Sequence, residues 1–189
     1  MDKAIGFAMC GSFCTLSRVI DEIVNLKKLN YDVIPIMSEI VYSTDTRFGK
    51  AEDFIKRVED ICSHKVIHTI TMAEPIGPKQ MLDLLVIAPC TGNTLAKLAN
   101  GITDTSVTMS AKSHLRNKRP LLIAVSTNDG LGASAKNIGK LLNYKNIYFV
   151  PLGQDDFIKK QNSLIADFSK IPESVNLALK GQQIQPIII

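Results

Sequence analysis

The stretch "LLVIAPCTGNTLAKLANGITD" (84–104) decides the fold. It opens on a continuous apolar run, "LLVIA" (84–88), within an expected strand at 83–89. A strand with no polar face must be covered on both sides, which is the mark of a central parallel strand. "CTGNT" (90–94) then turns the chain, and 94–100 has helical spacing with Gly101 placed as a C′ glycine. Thr91, Gly92, Asn93 and Thr94 in a row at that turn have two readings. They cap the helix, with Asn93 a favoured N-cap residue and Asp104 free to cap the next one, or they hold a ligand.

The same alternation runs through the chain. Apolar strands are expected at 3–10, 31–38, 65–70, 83–89, 119–126 and 145–151. Helices are expected at 15–30, 49–64, 94–100, 105–116 and 132–143, the first on the stripe Leu16, Val19, Ile20, Ile23, Val24 and Leu26. Strands alternating with helices predict an α/β fold. The expected architecture is a Rossmann-like three-layer sandwich with a six-stranded, mostly parallel sheet, in one domain spanning 1–189. The tail "GQQIQPIII" (181–189) ends on apolar residues that should not stand in water. It is expected to pack on a neighbour or to form an edge strand.

Composition narrows the function. The chain has 189 residues, 46% hydrophobic and 21% charged, as in ordinary globular proteins. Its net charge of +4 is scattered, apart from "HLRNKRP" (114–120), which has no interleaved aromatic residues. A nucleic-acid partner is not expected. No apolar run is long enough to cross a bilayer, and the N-terminus has no signal-peptide core. Cys10, Cys14, Cys62 and Cys90 form no C-x-x-C pair, so free thiols in the cytoplasm are expected.

In an open α/β sheet, ligands bind beyond the carboxyl ends of the strands. The loops delivered there are 10–15, 38–49, 90–94 and 126–134, all rich in Gly, Ser, Thr and Asn. Glycine lets the backbone approach an anion, and a helix N-terminus offers free N–H groups. Together they read as a site for a phosphate-bearing ligand. "GLGASA" (130–135), with Asp155 or Asp156 onward, matches a dinucleotide fingerprint. "STND" separates it from its strand, which argues against that use. His64 and His68 have no third ligand at metal spacing and read as surface or sheet residues. Cys10 and Cys90 fall at strand ends, near a ligand or simply buried.

Strand–"GS"–helix at the start, Ser38 after the second strand and the P-x-T-x-N-T-x-A-K-x-A-x-G-x-x-D run together resemble the flavoprotein superfamily. That group includes phosphopantothenoylcysteine decarboxylase, cysteine decarboxylases of lantibiotic type and flavin prenyltransferase. The segments 43–61, 71–79, 86–104, 112–132 and 145–156 carry the likeness along the chain. In the same order, they resemble the B subunits of a two-subunit enzyme of spore-forming bacteria. That branch implies an oxidoreductase acting in the mother cell. Its reaction makes a pyridine dicarboxylate by NAD(P)-dependent oxidation of a dihydro intermediate from the lysine pathway. The NAD(P) site lies on the partner, the A subunit.

Carried onto this chain, the resemblance implies that Gly11, Ser12 and Ser38 hold the phosphate of FMN. Thr91, Asn93 and Thr94 would sit near the ring or the substrate, with Asn93 as the catalytic residue. Ser126, Thr127 and Asn128 would border the isoalloxazine edge. Asn93 and Asp129 would orient the dicarboxylate, and Lys97 or Arg47 would pair with its carboxylates, although Lys97 reads first as solvent-exposed. Relatives in the superfamily form trimers or larger assemblies, so a homo-oligomer is expected of the isolated chain. Two departures argue against decarboxylation. The second helix has no His before His64, and "STNDGLG" (126–132) stands where relatives carry a Met-Asn motif. Two classes of function stay open. A catalytic role would depend on Asn93, whereas a binding and assembly role would depend on 184–189. A stand-alone FMN decarboxylase is the third reading.

Overall fold

The structure, a computed structural model, describes residues 3–189. In chain order the elements are β1 (Ala4–Met9), α1 (Leu16–Lys28), β2 (Asp32–Met37), α2 (Glu39–Ser43), α3 (Ala51–Cys62), α4 (Ile70–Ala73), β3 (Leu84–Cys90), α5 (Gly92–Asn100), α6 (Ser106–Leu115), β4 (Leu121–Thr127), α7 (Ala135–Leu142), β5 (Ile147–Phe149), β6 (Leu152–Gly153), β7 (Leu164–Ala166) and α8 (Ile171–Ala178). The sheet runs β2-β1-β3-β4-β7-β6, with β5 also paired to β4. Contacts from β2 through β1, β3 and β4 to β5 are parallel, and β7 is antiparallel to both β4 and β6.

Both sheet faces are covered, and the strands show it residue by residue. Ile5, Phe7 and Met9 of β1, with Val86 of β3 and Leu122 of β4, pack under α1, α3 and α8. Ala8, Ile87, Leu121 and Ile123 point the other way, under α5, α6 and α7. Alternate residues serve opposite layers, so every position must be apolar. This is the three-layer α/β arrangement that the sequence predicts.

The sheet has seven strands rather than six. Residues 65–70 do not make the expected third strand. Ile67 alone bridges Ile36. Thr69 then caps α4, its hydroxyl accepting the Met72 N–H at 3.2 Å, and a chain that has entered a helix cannot continue the ladder. The added strands β6 and β7 are two and three residues long.

The tail does form an edge contact. Ile188 bridges Leu152 of β6, though the side chains of Ile188 and Ile189 stay exposed. Before it, Gln183 closes the open side of β5. Its Oε1 accepts the Phe149 N–H at 2.8 Å and its Nε2 donates to the Phe149 carbonyl at 2.7 Å. Phe149 is fully buried. Gln183→Ala should therefore cost about 1.5 kcal/mol, since two backbone groups lose their partner. A urea midpoint equal to wild type would show that water replaces the amide without loss.

Candidate functional site

The strand order reverses between β1 and β3, because β1 is followed outward by β2 on one side and by β3 on the other. A crevice opens beyond the carboxyl ends of strands at such a point. Two adjoining clefts occupy it, and Gly11 and Thr91 line both. The first, of about 520 Å3, has Ser38, Glu39, Asn93, Thr94 and Lys97 on its walls. The second, of about 250 Å3, has Ser12, Ser126, Thr127, Asn128, Asp155 and Lys160. Four separate loops thus meet at one edge of the sheet. Gly11, Ser12, Ser38, Thr91, Asn93, Thr94, Ser126, Thr127 and Asn128 all lie on these walls.

The turn after β3 shows how the local structure is made. Thr91, not Asn93, is the N-cap of α5, and its Oγ1 accepts the Thr94 N–H at 3.3 Å. Asn93 falls two residues later and is exposed on the cleft wall. Thr94 is buried, and its hydroxyl donates to Cys10 Sγ at 3.3 Å, tying the ends of β1 and β3 together. Gly101 does close α5, at a φ of 70°. The cap of α6 is Thr105, which makes a capping box with Thr108. Asp104, expected in that place, pairs instead with Lys97 at 2.9 Å.

Ser38 is the unusual residue. It precedes α2 in the N-cap position, yet its side chain makes no cap bond. The residue is only 8% exposed, and its Oγ has no hydrogen-bond partner. Buried polar atoms are nearly always satisfied, so an open hydroxyl on a cleft wall needs a reason. In the second cleft, Ser12 Oγ and Ser126 Oγ lie 2.8 Å apart, joining the loops after β1 and β4. β7 pairs with Ser126 and Thr127 and fixes that loop from outside.

Burial sets the electrostatics. It pushes the Cys10 thiol up to about 11 and the Cys90 thiol well above its usual value. Both are therefore protonated near neutral pH and serve as small apolar groups. Asp129 is held below the ordinary carboxylate range by hydrogen bonds from the Thr127 and Ser134 hydroxyls. Its Oδ1 accepts from both, so it braces the loop and lines neither cleft. Arg47 also lies outside both walls, its guanidinium 4.9 Å over the Phe48 ring. The first glycine of "GLGASA" is used in packing, whereas Gly132 is exposed. A Cβ on Gly130 would stand 2.6 Å from Leu164 of β7. His64 pairs with Asp32 at 2.8 Å, and His68 stacks on Tyr42 with ring centroids 3.6 Å apart.

The flavoprotein family model matches residues 1–176. The chain belongs to this family. The B subunit of dipicolinate synthase from Bacillus subtilis (strain 168) is 45% identical over 187 residues, spanning 99% of this chain and 94% of that protein. The crystal structure of the corresponding dipicolinate synthase polypeptide from Bacillus halodurans superposes with a TM-score of 0.91 at 43% identity, covering 100% of this chain and 98% of that one. DmrB of Burkholderia xenovorans, solved in complex with FMN, has the same fold at a TM-score of 0.71 and 18% identity, over 95% of this chain and 96% of its own.

Sequence reasoning missed Glu39 and Lys160 of this flavoprotein's clefts, and it reached Asp155 only through the dinucleotide fingerprint. Glu39 adjoins Ser38, which the sequence singles out, and its signal was adjacency. Glu39 Oε1 accepts the Ser106 N–H at 2.9 Å and so holds α6 against the cleft. Asp155 and Lys160 come from the β6–β7 connection, which no periodicity announces.

Proposed function

We propose that this flavoprotein is the B subunit of a dipicolinate synthase. With an A subunit that carries the NAD(P) site, it would oxidise a dihydrodipicolinate-level intermediate of the lysine pathway to dipicolinate. Per turnover the substrate loses a hydride to NAD(P)+ and a proton to solvent. The setting would be the cytoplasm of the mother cell of a sporulating bacterium. One observation carries the reading: the end-to-end likeness to the dipicolinate synthase polypeptide of Bacillus subtilis, at 45% identity over 99% of the chain. Among the described residues, no helix is long and apolar enough to cross a membrane.

The clefts fit FMN. The Ser38 hydroxyl is buried and unpartnered on the wall, as a group awaiting a phosphate oxygen would be. Gly11, at the junction of the two clefts, and Ser12 beside it would hold that phosphate. Bound there, a flavin would supply two-electron redox chemistry. Thr91 and Thr94 would set the floor beside the ring, and Ser126, Thr127 and Asn128 its edge. Asn93, exposed at the mouth of the larger cleft, would orient the substrate by amide hydrogen bonds. The isolated chain would be a homo-oligomer.

The test is to purify the chain alone and together with its partner, record absorbance from the near ultraviolet to the blue, and follow substrate-dependent NAD(P) reduction. A flavin band, with activity only when both polypeptides are present, is the expected result. Full activity from the partner by itself would reduce this chain to an accessory and overturn the reading.

A further inference from the structure

A cleft that takes a substrate with two carboxylates needs a positive charge that is not already consumed. Lys97 is consumed. Its Nζ lies 2.9 Å from Asp104 on a side chain only 20% exposed. Arg47 lines neither cleft. Among the described residues that wall the Ser126 cleft, Lys160 carries the only positive charge.

Its surroundings suit exchange of partners. Lys160 Nζ stands 3.4 Å from Asp155 Oδ2, well beyond the roughly 2.7–2.9 Å of a good charge-assisted bond. The lysine side chain is 52% exposed, so the contact is screened and weak. Its backbone is fixed nonetheless. The Lys160 N–H donates to the Asp156 carbonyl at 2.7 Å, and its own carbonyl accepts the Ser163 N–H at 2.9 Å. A firm turn thus brings the ammonium to the cleft, and only a loose partner holds it there. Lys160 and Asn128 also border a neighbouring open groove of about 500 Å3, which leaves a way in from solvent. Without Lys160, Asp155 would leave this wall with a net negative charge that repels a dianion.

We propose that Lys160 is the specificity-determining residue for the dicarboxylate, giving up Asp155 to receive one substrate carboxylate. The inference rests on the function proposed above. The carboxylate that Lys160 receives is the one carried toward the β6–β7 connection. Asp155 then acts as a placeholder that keeps the ammonium at the cleft between turnovers.

The test uses the complex of this chain with its partner. Initial rates of NAD(P) reduction give KM and kcat for the dihydro substrate, and calorimetry gives Kd for dipicolinate and for pyridine-2-carboxylate. Lys160→Gln should raise KM and the dipicolinate Kd about tenfold, the ~1.4 kcal/mol of one charge-assisted contact. The loss should fall mainly in KM. Kd for pyridine-2-carboxylate should change less than about threefold, since that ligand has one carboxylate to place. Lys160→Arg should restore most of the dipicolinate affinity, and Asp155→Asn should improve it. An active wild type whose Lys160→Gln variant keeps both constants overturns the assignment alone. A wild-type complex that neither turns over nor binds dipicolinate overturns the function and this assignment with it.

Discussion

Gly92→Ala is expected to lower the stability of the chain by about 3 kcal/mol and the turnover of the complex by about a hundredfold. Gly92 is the first residue of α5 and has no positive φ, so alanine is not excluded by conformation. The obstacle is space. An added Cβ would lie 2.6 Å from Ser134 Oγ, 2.7 Å from Thr127 Oγ1 and 2.8 Å from Asp129 Oδ1. These three atoms cannot step back singly, because Asp129 accepts hydrogen bonds from both hydroxyls. Either that network breaks, or α5 moves and takes Thr91, Asn93 and Thr94 with it. Gly139→Ala is the control. It lies exposed in α7 with nothing within 4 Å of an added Cβ, so alanine should stabilise by about 0.5–1 kcal/mol. Urea midpoints and rates of NAD(P) reduction for the pair decide the matter. A Gly92→Ala protein with wild-type values would mean that the junction of α5 with the β4 loop is soft.

The central sheet was legible because its strands are buried on both faces. "LLVIA" (84–88) and "LLIAV" (121–125) leave no polar position to mislead a reader. Shorter elements carry too little pattern. β6 and β7 have two and three residues, too few for an alternation to repeat, and they exist because β4, the tail and each other supply partners. "KVIHTI" (65–70) looks like a strand by composition, but Thr69 caps α4 and ends the pairing after Ile67.

The site divides in the same way. Small polar residues after β1, β2, β3 and β4 could be placed at one edge from topology alone. Which of Thr91 and Asn93 caps α5 could not, since both residue types cap helices and the start of the helix chooses between them. Lys97 illustrates the limit for charges. Its partner Asp104 is seven residues away, past the end of α5, and only the turn at Gly101 brings them to 2.9 Å. Lys160 was invisible for the opposite reason, because its place at the cleft depends on strands too short to foresee.

Acid should destabilise the fold before its carboxylates titrate, and His114 should be the cause. It lies in the last turn of α6, 1% exposed, with Nε2 2.9 Å from the Pro120 carbonyl. Burial drives its pKa from 6.5 down to about 4, and the Arg119 charge adds to this. The Pro120 hydrogen bond and the Asp83 carboxylate oppose the shift only in part. Between pH 6.5 and about 4, the unfolded chain therefore holds a proton that the folded chain refuses, so stability falls as pH falls and levels off below about 4. A displacement of about 2.5 pH units corresponds to roughly 3 kcal/mol across that window. Asp129, whose pKa is lowered, keeps its contribution until more acid conditions, so the two effects separate on the pH axis. His114→Gln retains a side-chain donor for Pro120 and removes the titration. Its unfolding free energy should be nearly flat from pH 6.5 to about 4, where that of the wild type slopes. The same slope in both proteins would show that the proton is taken up elsewhere, and that the imidazole reaches water before the fold gives way.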